Sequence, residues 1–188
     1  MSLSLLIGRA ALLASLLQTS STIALDVEDL EIVVRKGTIS VDMDFIVEAS
    51  VPEVIAALTN FDYPDPLNPR VTAKEVLSIA GDITRVRTSF RGCLLIFCRN
   101  LTLVEDVQIR NNEIISTIVA NDEDKSTGQF HWHLYANDSG GTSVRFVATM
   151  KPDIFIVPVV GESIARRKLK RQLIESAVNL GALVEGSP

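Results

Sequence analysis

Residues 128–184 read GQFHWHLYANDSGGTSVRFVATMKPDIFIVPVVGESIARRKLKRQLIESAVNLGALV, and the order of patterns within them decides the fold. Phe130, Trp132 and Leu134 alternate with His131, His133 and Tyr135. After the turn-rich Asn137-Asp-Ser-Gly-Gly141, Val144, Phe146, Ala148 and Met150 alternate with Arg145, Val147 and Thr149. Two period-two runs joined by such a break predict an antiparallel hairpin, about 128–136 and 142–151. Pro152 to Pro158 closes the sheet, and from about Gly161 to Val184 the period changes. Leu169, Leu173, Ala177, Leu180 and Leu183 recur at spacings of three or four, the single apolar stripe of a long helix.

Upstream, the same readings repeat. Ile39, Val41, Met43, Phe45 and Val47 share one face of a strand beginning at Thr38, opposite Ser40, Asp42 and Asp44. Ser50-Val51-Pro52-Glu53 is a helix start, with a capping Ser, Pro in the first turn and Glu three residues on. That helix ends at Leu58, and the three prolines within Thr59 to Pro69 leave room for a turn and one more short helical turn. Strands follow at about 71–79, 83–91, 95–109 and 112–120, separated by Ala80-Gly81-Asp82, Arg91-Gly92 and Asn111-Asn112. The order is strand, two short helices, six strands, long helix. It predicts an α+β fold in which a seven-stranded curved antiparallel sheet wraps the C-terminal helix. A helix about 35 Å long and about 10 Å wide cannot fill the concave face of so large a sheet, so a cavity is expected between them.

The 188 residues carry a formal charge of −5, are 47% apolar and only 5% aromatic, and have a mean hydropathy of +0.27. That size suits one domain. The acidic balance argues against a general nucleic-acid binder, which needs excess Lys and Arg. Residues 1–24, MSLSLLIGRAALLASLLQTSSTIA, contain Arg9, no acid, an apolar run and a small-x-small ending at Thr22 and Ala24. They read as a cleaved signal peptide, implying a periplasmic or secreted protein. The leader holds fourteen of the 88 apolar residues, so the hydrophobic surplus belongs to the domain. Residues 25–35 are read as a lead-in of mixed charge and 36–185 as the folded domain.

The local matches are specific. Asn60-Phe-Asp-Tyr-Pro-Asp-Pro-Leu-Asn-Pro69, Arg91-Gly-Cys-Leu-Leu-Ile-Phe-Cys98, Thr127-Gly-Gln-Phe-His-Trp132, Gly141-Thr-Ser-Val-Arg145 and the entry into the last helix from Pro152 to Leu169 carry them. Over about residues 36–184 the chain resembles the helix-grip, START-like and Bet v 1-like (SRPBCC) superfamily of polyketide cyclase/dehydrase and lipid-transport proteins. The resemblance is nearest its bacterial branch related to coenzyme Q-binding START domain proteins. It implies a ligand cavity, which in different members serves carriage, reception or catalysis.

Candidate ligand contacts are Met43, Phe45, Phe90, Phe130, Trp132, Phe146 and Met150 from the sheet and Phe155, Leu169 and Leu173 from the lid side. Taken singly, each of them reads more readily as plain core; for the set, the resemblance favours a cavity. Trp132, the sole tryptophan, stands mid-strand with an indole N–H that needs a partner. His131 and His133 oppose it, face outward and lack an evident third ligand, so no metal is expected. No cofactor motif or catalytic triad order is visible. Cys93 and Cys98 could bond only if the chain turns between them, putting apolar Leu94 to Phe97 at a hairpin tip. Otherwise they are two small buried hydrophobes. The basic Arg166, Arg167, Lys168, Lys170 and Arg171 form either a solvated face or, with Leu94 and Phe97, a peripheral membrane contact.

The expected function is binding or transport of a hydrophobic small molecule, such as a lipid, quinone or polyketide-like compound. The alternatives are a cyclase/dehydratase-type enzyme in the same cavity, with Tyr63, Arg87, Thr88 and Ser89 as polar candidates, and an accessory membrane-docking module.

Overall fold

A computed structural model describes residues 27–94, 97–121, 124–153 and 160–185, with the side chains of 92–94, 97–99 and 160 left out of the description. Eight antiparallel strands form one sheet. They are β1 (Val27–Arg35), β2 (Thr38–Val47), β3 (Val71–Ala80), β4 (Ile83–Leu94), β5 (Phe97–Arg110), β6 (Glu113–Ile118), β7 (Thr127–Ala136) and β8 (Thr142–Lys151). Helix α1 (Val51–Leu58) follows β2, and the 26-residue α2 (Val160–Glu185) follows β8. The sheet order is β1-β2-β8-β7-β6-β5-β4-β3. Every neighbour except the β2–β8 pair is therefore a sequential hairpin.

The α+β helix-grip architecture stands, with two refinements. The lead-in contributes an eighth strand, since Leu30, Ile32 and Val34 alternate inward and β1 pairs with β2 across the Lys36-Gly37 turn. Both turn residues have positive φ, 51° and 78°, which matches the twist of a two-residue hairpin. In place of two short helices there is one. Residues 59–70 are irregular because their backbone amides bond to side chains: Asp62 N donates to Asn60 Oδ1, Leu67 N and Asn68 N to Asp65 Oδ1, and Arg70 N to Asn68 Oδ1. Such Asx contacts, with Pro64, Pro66 and Pro69, replace helical bonds.

Ser50 starts α1 as expected, donating from N and Oγ to the Glu53 carboxylate at 2.8 and 2.6 Å. Those bonds hold Glu53 below the ordinary carboxylate range. The core joins the inner faces of β2, β8 and β7 to α1 and α2, through Met43, Phe45, Val144, Leu134, Val54 and Leu180. Helix α2 packs on β1, β2 and α1. It covers one end of the sheet and leaves the concave surface of β3 to β7 to be closed by the 59–70 loop. Asn179 Nδ2 and Glu175 pin that loop to α2 through Leu67 O and Arg70, at 3.1 and 3.0 Å.

Candidate functional site

Where α2 does not reach, a cavity of about 320 Å³ remains. Its walls follow from strand alternation. The inward residues are Val86, Thr88 and Phe90 of β4, Leu103, Glu105 and Val107 of β5, Ile114 and Ser116 of β6, Phe130 and Trp132 of β7, and Phe146 of β8. Val71 and Lys74 of β3 and Leu58, Phe61, Asp65 and Asn68 from the α1 end and the loop complete it. The aromatic wall is compact: Trp132 lies 4.2 Å from Phe146 and Phe130 lies 6.4 Å from it, centroid to centroid.

The expected contacts separate into groups. Phe90, Phe130, Trp132 and Phe146 line the cavity. Met43 and Phe45 are sealed in the core beside it, and Leu169 and Leu173 pack against that core from α2. Met150 is half-buried outside the lining. Phe155 lies outside the described residues. Of the polar candidates only Thr88 faces the cavity. Arg87 pairs with Glu75 at 3.1 Å, Ser89 Oγ meets Thr102 Oγ1 at 3.2 Å, and Tyr63 is 57% exposed.

Apart from Thr88, sequence reasoning missed the polar part of the lining. Lys74 Nζ bonds Asp65 Oδ2 at 2.8 Å and Asn60 O at 2.9 Å, and lies 5.7 Å above the Phe61 ring. The ion pair is nearly closed off, with side-chain exposures of 11% and 9%. Deeper in, Glu105 and Ser116 are diagonal neighbours, because β5 pairs with β6 as Glu105↔Ile118 and Val107↔Ser116. Burial pushes the Glu105 carboxyl above the ordinary carboxylate range, partly offset by the Ser116 hydroxyl and the Lys74 charge. Ser116 is 7% exposed, and its Oγ stops short of hydrogen-bonding geometry with any described group. A buried hydroxyl left so costs about 1–3 kcal/mol. Alternation alone could have found both residues, since each stands two positions from an inward apolar one.

Elsewhere, His131 and His133 stack at 6.1 Å, and His133 Nδ1 lies 3.1 Å from Glu113. Among the described residues no group of three or more His, Cys, Asp or Glu is placed to hold a metal. Cys93 and Cys98 are cross-strand partners in the β4–β5 register, whose last pair is Leu94↔Phe97. Their side chains, and with them the disulfide expectation, lie outside the description. A surface cleft brings Arg91 of β4 together with Lys168 of α2, with Pro69, Arg70 and Thr72 between. No described helix is long and apolar enough to cross a membrane.

No family model matches the chain, and no curated protein sequence does. Solved structures do match. A START superfamily protein from Mycobacterium smegmatis superposes with a TM-score of 0.61 at 14% identity, covering 78% of this chain and 97% of its own. The Zhui aromatase/cyclase from Streptomyces sp. R1128 gives 0.62 at 13% identity, over 79% and 94%. Human StAR-related lipid transfer protein 5 gives 0.58 at 13% identity, over 85% and 88%. The fold is the START/Bet v 1-like helix-grip fold.

Proposed function

We propose that the chain binds a small hydrophobic molecule in the cavity between the sheet and the 59–70 loop. The observation that carries this is the mostly apolar cavity of about 320 Å³, at the lower end of the usual range for ligand sites. The neighbours named for lipid transfer and for aromatase/cyclase activity share the fold and support a hydrophobic cargo in general. The volume equals about ten liquid waters, which suits a one- or two-ring molecule or a single short chain better than a two-chain lipid. Because Trp132 is the sole tryptophan and lines the cavity, its fluorescence reads occupancy directly. Native mass spectrometry of protein from its own host, followed by titration of the delipidated protein, tests the reading. No co-purified molecule and no Trp132 response to any small apolar compound would sink it.

A second reading is an enzyme of the cyclase/dehydratase kind. The polar groups Glu105, Ser116 and Thr88 in the lining favour it, since a carrier of pure hydrocarbon needs none of them. Turnover of an added oxygenated substrate, lost in Glu105→Gln, would separate it from carriage.

We further propose that residues 1–24 direct secretion or periplasmic export, tested by sequencing the N-terminus of the exported protein. Peripheral contact with an anionic membrane is proposed through Arg166, Arg167, Lys168 and Lys170 together with the Leu94–Phe97 end of the β4–β5 hairpin. The Arg91–Lys168 cleft supports this by bringing hairpin and helix together. Co-sedimentation with anionic but not neutral vesicles, weakened by salt and by Lys168→Glu, is the expected result.

A further inference from the structure

Apart from Thr88 and Asn68, the polar groups of the cavity lining gather at two places, and these differ in kind. At its mouth, Lys74 and Asp65 satisfy each other and the Asn60 carbonyl. At its wall, Glu105 of β5 and Ser116 of β6 are adjacent, face inward, and sit among Val86, Val107, Phe130 and Trp132. Ser116 Oγ is more than nine-tenths buried and, among the described residues, makes no well-aligned hydrogen bond, with only the adjacent Glu105 carboxyl to steady it, while other buried polar groups are matched. Thr142 Oγ1, for example, donates to Ala49 O at 2.7 Å, and Ser126 Oγ accepts from Asp153 N at 2.9 Å.

We propose that Glu105 and Ser116 form the recognition end of the cavity and bind a neutral oxygen of the ligand, a ketone or alcohol, through paired hydrogen bonds. The proposal rests on the cavity reading above and sharpens it. A pure hydrocarbon leaves both groups desolvated, with only each other to bond. An anion would lie against Glu105 and Asp65, with Lys74 already taken by Asp65. An ammonium would need an ionised Glu105, which burial opposes. A protonated carboxyl supplies a donor and an acceptor, and the Ser116 hydroxyl can act as either. The charged groups that share the lining with Glu105 are Lys74 from β3, whose charge acts on it, and Asp65 from the loop; β4, β6 and β7 present Val86, Thr88, Phe90, Ile114, Ser116, Phe130 and Trp132, none of them charged.

Calorimetric titration of the full chain with tetralone, tetralol and tetralin, three molecules of nearly one shape, tests this. Tetralone and tetralol are expected to bind about tenfold more tightly than tetralin, the worth of one good hydrogen bond. Glu105→Gln keeps most of that preference, because the amide is neutral and still donates. The double change Glu105→Leu with Ser116→Ala removes it while tetralin still binds. Raising the pH through the Glu105 titration weakens tetralone, which only accepts, more than tetralol, which also donates, and Glu105→Gln abolishes that difference. Equal affinities for all three in the wild type overturn the polar-end proposal and leave the cavity reading intact. Survival of the preference in the double variant overturns it too. Failure of all three, tetralin included, overturns the cavity reading and this proposal with it.

Discussion

Lys74 Nζ lies 2.8 Å from Asp65 Oδ2, and that contact ties β3 to the loop that roofs the cavity. Asp65 also serves the loop itself, its Oδ1 accepting from Leu67 N and Asn68 N at 2.8 and 3.1 Å. One carboxylate thus shapes the roof with one oxygen and fastens it with the other.

Asp65→Asn separates these duties, because the amide oxygen keeps the turn while the charge is lost. Lys74 is then a nearly buried cation without its partner, and stability should fall by about 3 kcal/mol. Lys74→Met alone should cost a similar amount, and the double variant less than the sum. Urea denaturation of the four proteins measures the cycle.

Ser116→Val replaces an unsatisfied hydroxyl with methyls that face open space. In acid, where Glu105 is neutral and draws no support from the hydroxyl, the empty protein should gain about 1 kcal/mol in stability, and oxygenated ligands should bind more weakly. Thermal denaturation with and without tetralone reads both effects. A loss of stability in the empty protein in acid would contradict the account of that hydroxyl.

Two acids should respond to pH in opposite ways. Glu105 holds its proton more tightly folded than unfolded, so its ionisation lowers stability. That loss begins as pH rises through the ordinary value of 4.5 and is complete above the raised folded value. Asp106, bonded by Arg85 at 2.6 and 2.7 Å, lies below its ordinary 3.8, so its contribution is present above that value and lost on acidification. Glu105→Gln should therefore match wild type in acid and exceed it at neutral pH. Melting temperature against pH for both proteins checks the crossing.

Gly128 marks a close approach of two strands. A Cβ there would stand 2.5 Å from Thr149 O and 2.9 Å from Met150 Cα, both backbone atoms that cannot swing aside. Gly128→Ala should destabilise by about 1–3 kcal/mol. Because the strain falls on β7 two residues before Phe130, the Trp132 emission should shift even without ligand.

The sheet and the final helix were legible because their signals are periodic and strong. Phe130, Trp132 and Phe146 stand inward as alternation demands, and Leu169, Leu173, Ala177 and Leu180 of the α2 stripe pack on the core, where Val184 and not Leu183 takes the last place. β1 was read as a lead-in because its apolar alternation is short and its first part, with acids at 28, 29 and 31, reads as mixed charge, as an edge strand allows. Glu105 and Ser116 were hidden for a different reason. Alternation puts both inward, but a polar residue there is easily passed over as a break in the pattern. The Lys74–Asp65 link joins a strand to an irregular loop, and no periodicity announces such a pair.

The cavity lining runs from Leu58 to Phe146, and among the described residues neither β1, β2 nor α2 contributes to it. The chain therefore divides its labour along its length. The β3–β8 meander supplies most of the cavity wall and can assemble hairpin by hairpin as it is synthesised. The first hairpin must wait for β8, since Asp42 pairs with Val147, and such long-range closure is slow. Cavity and closure are thus stages in time as well as regions in space. A molecule already seated in the meander would slow amide exchange there first, before the two ends of the chain meet.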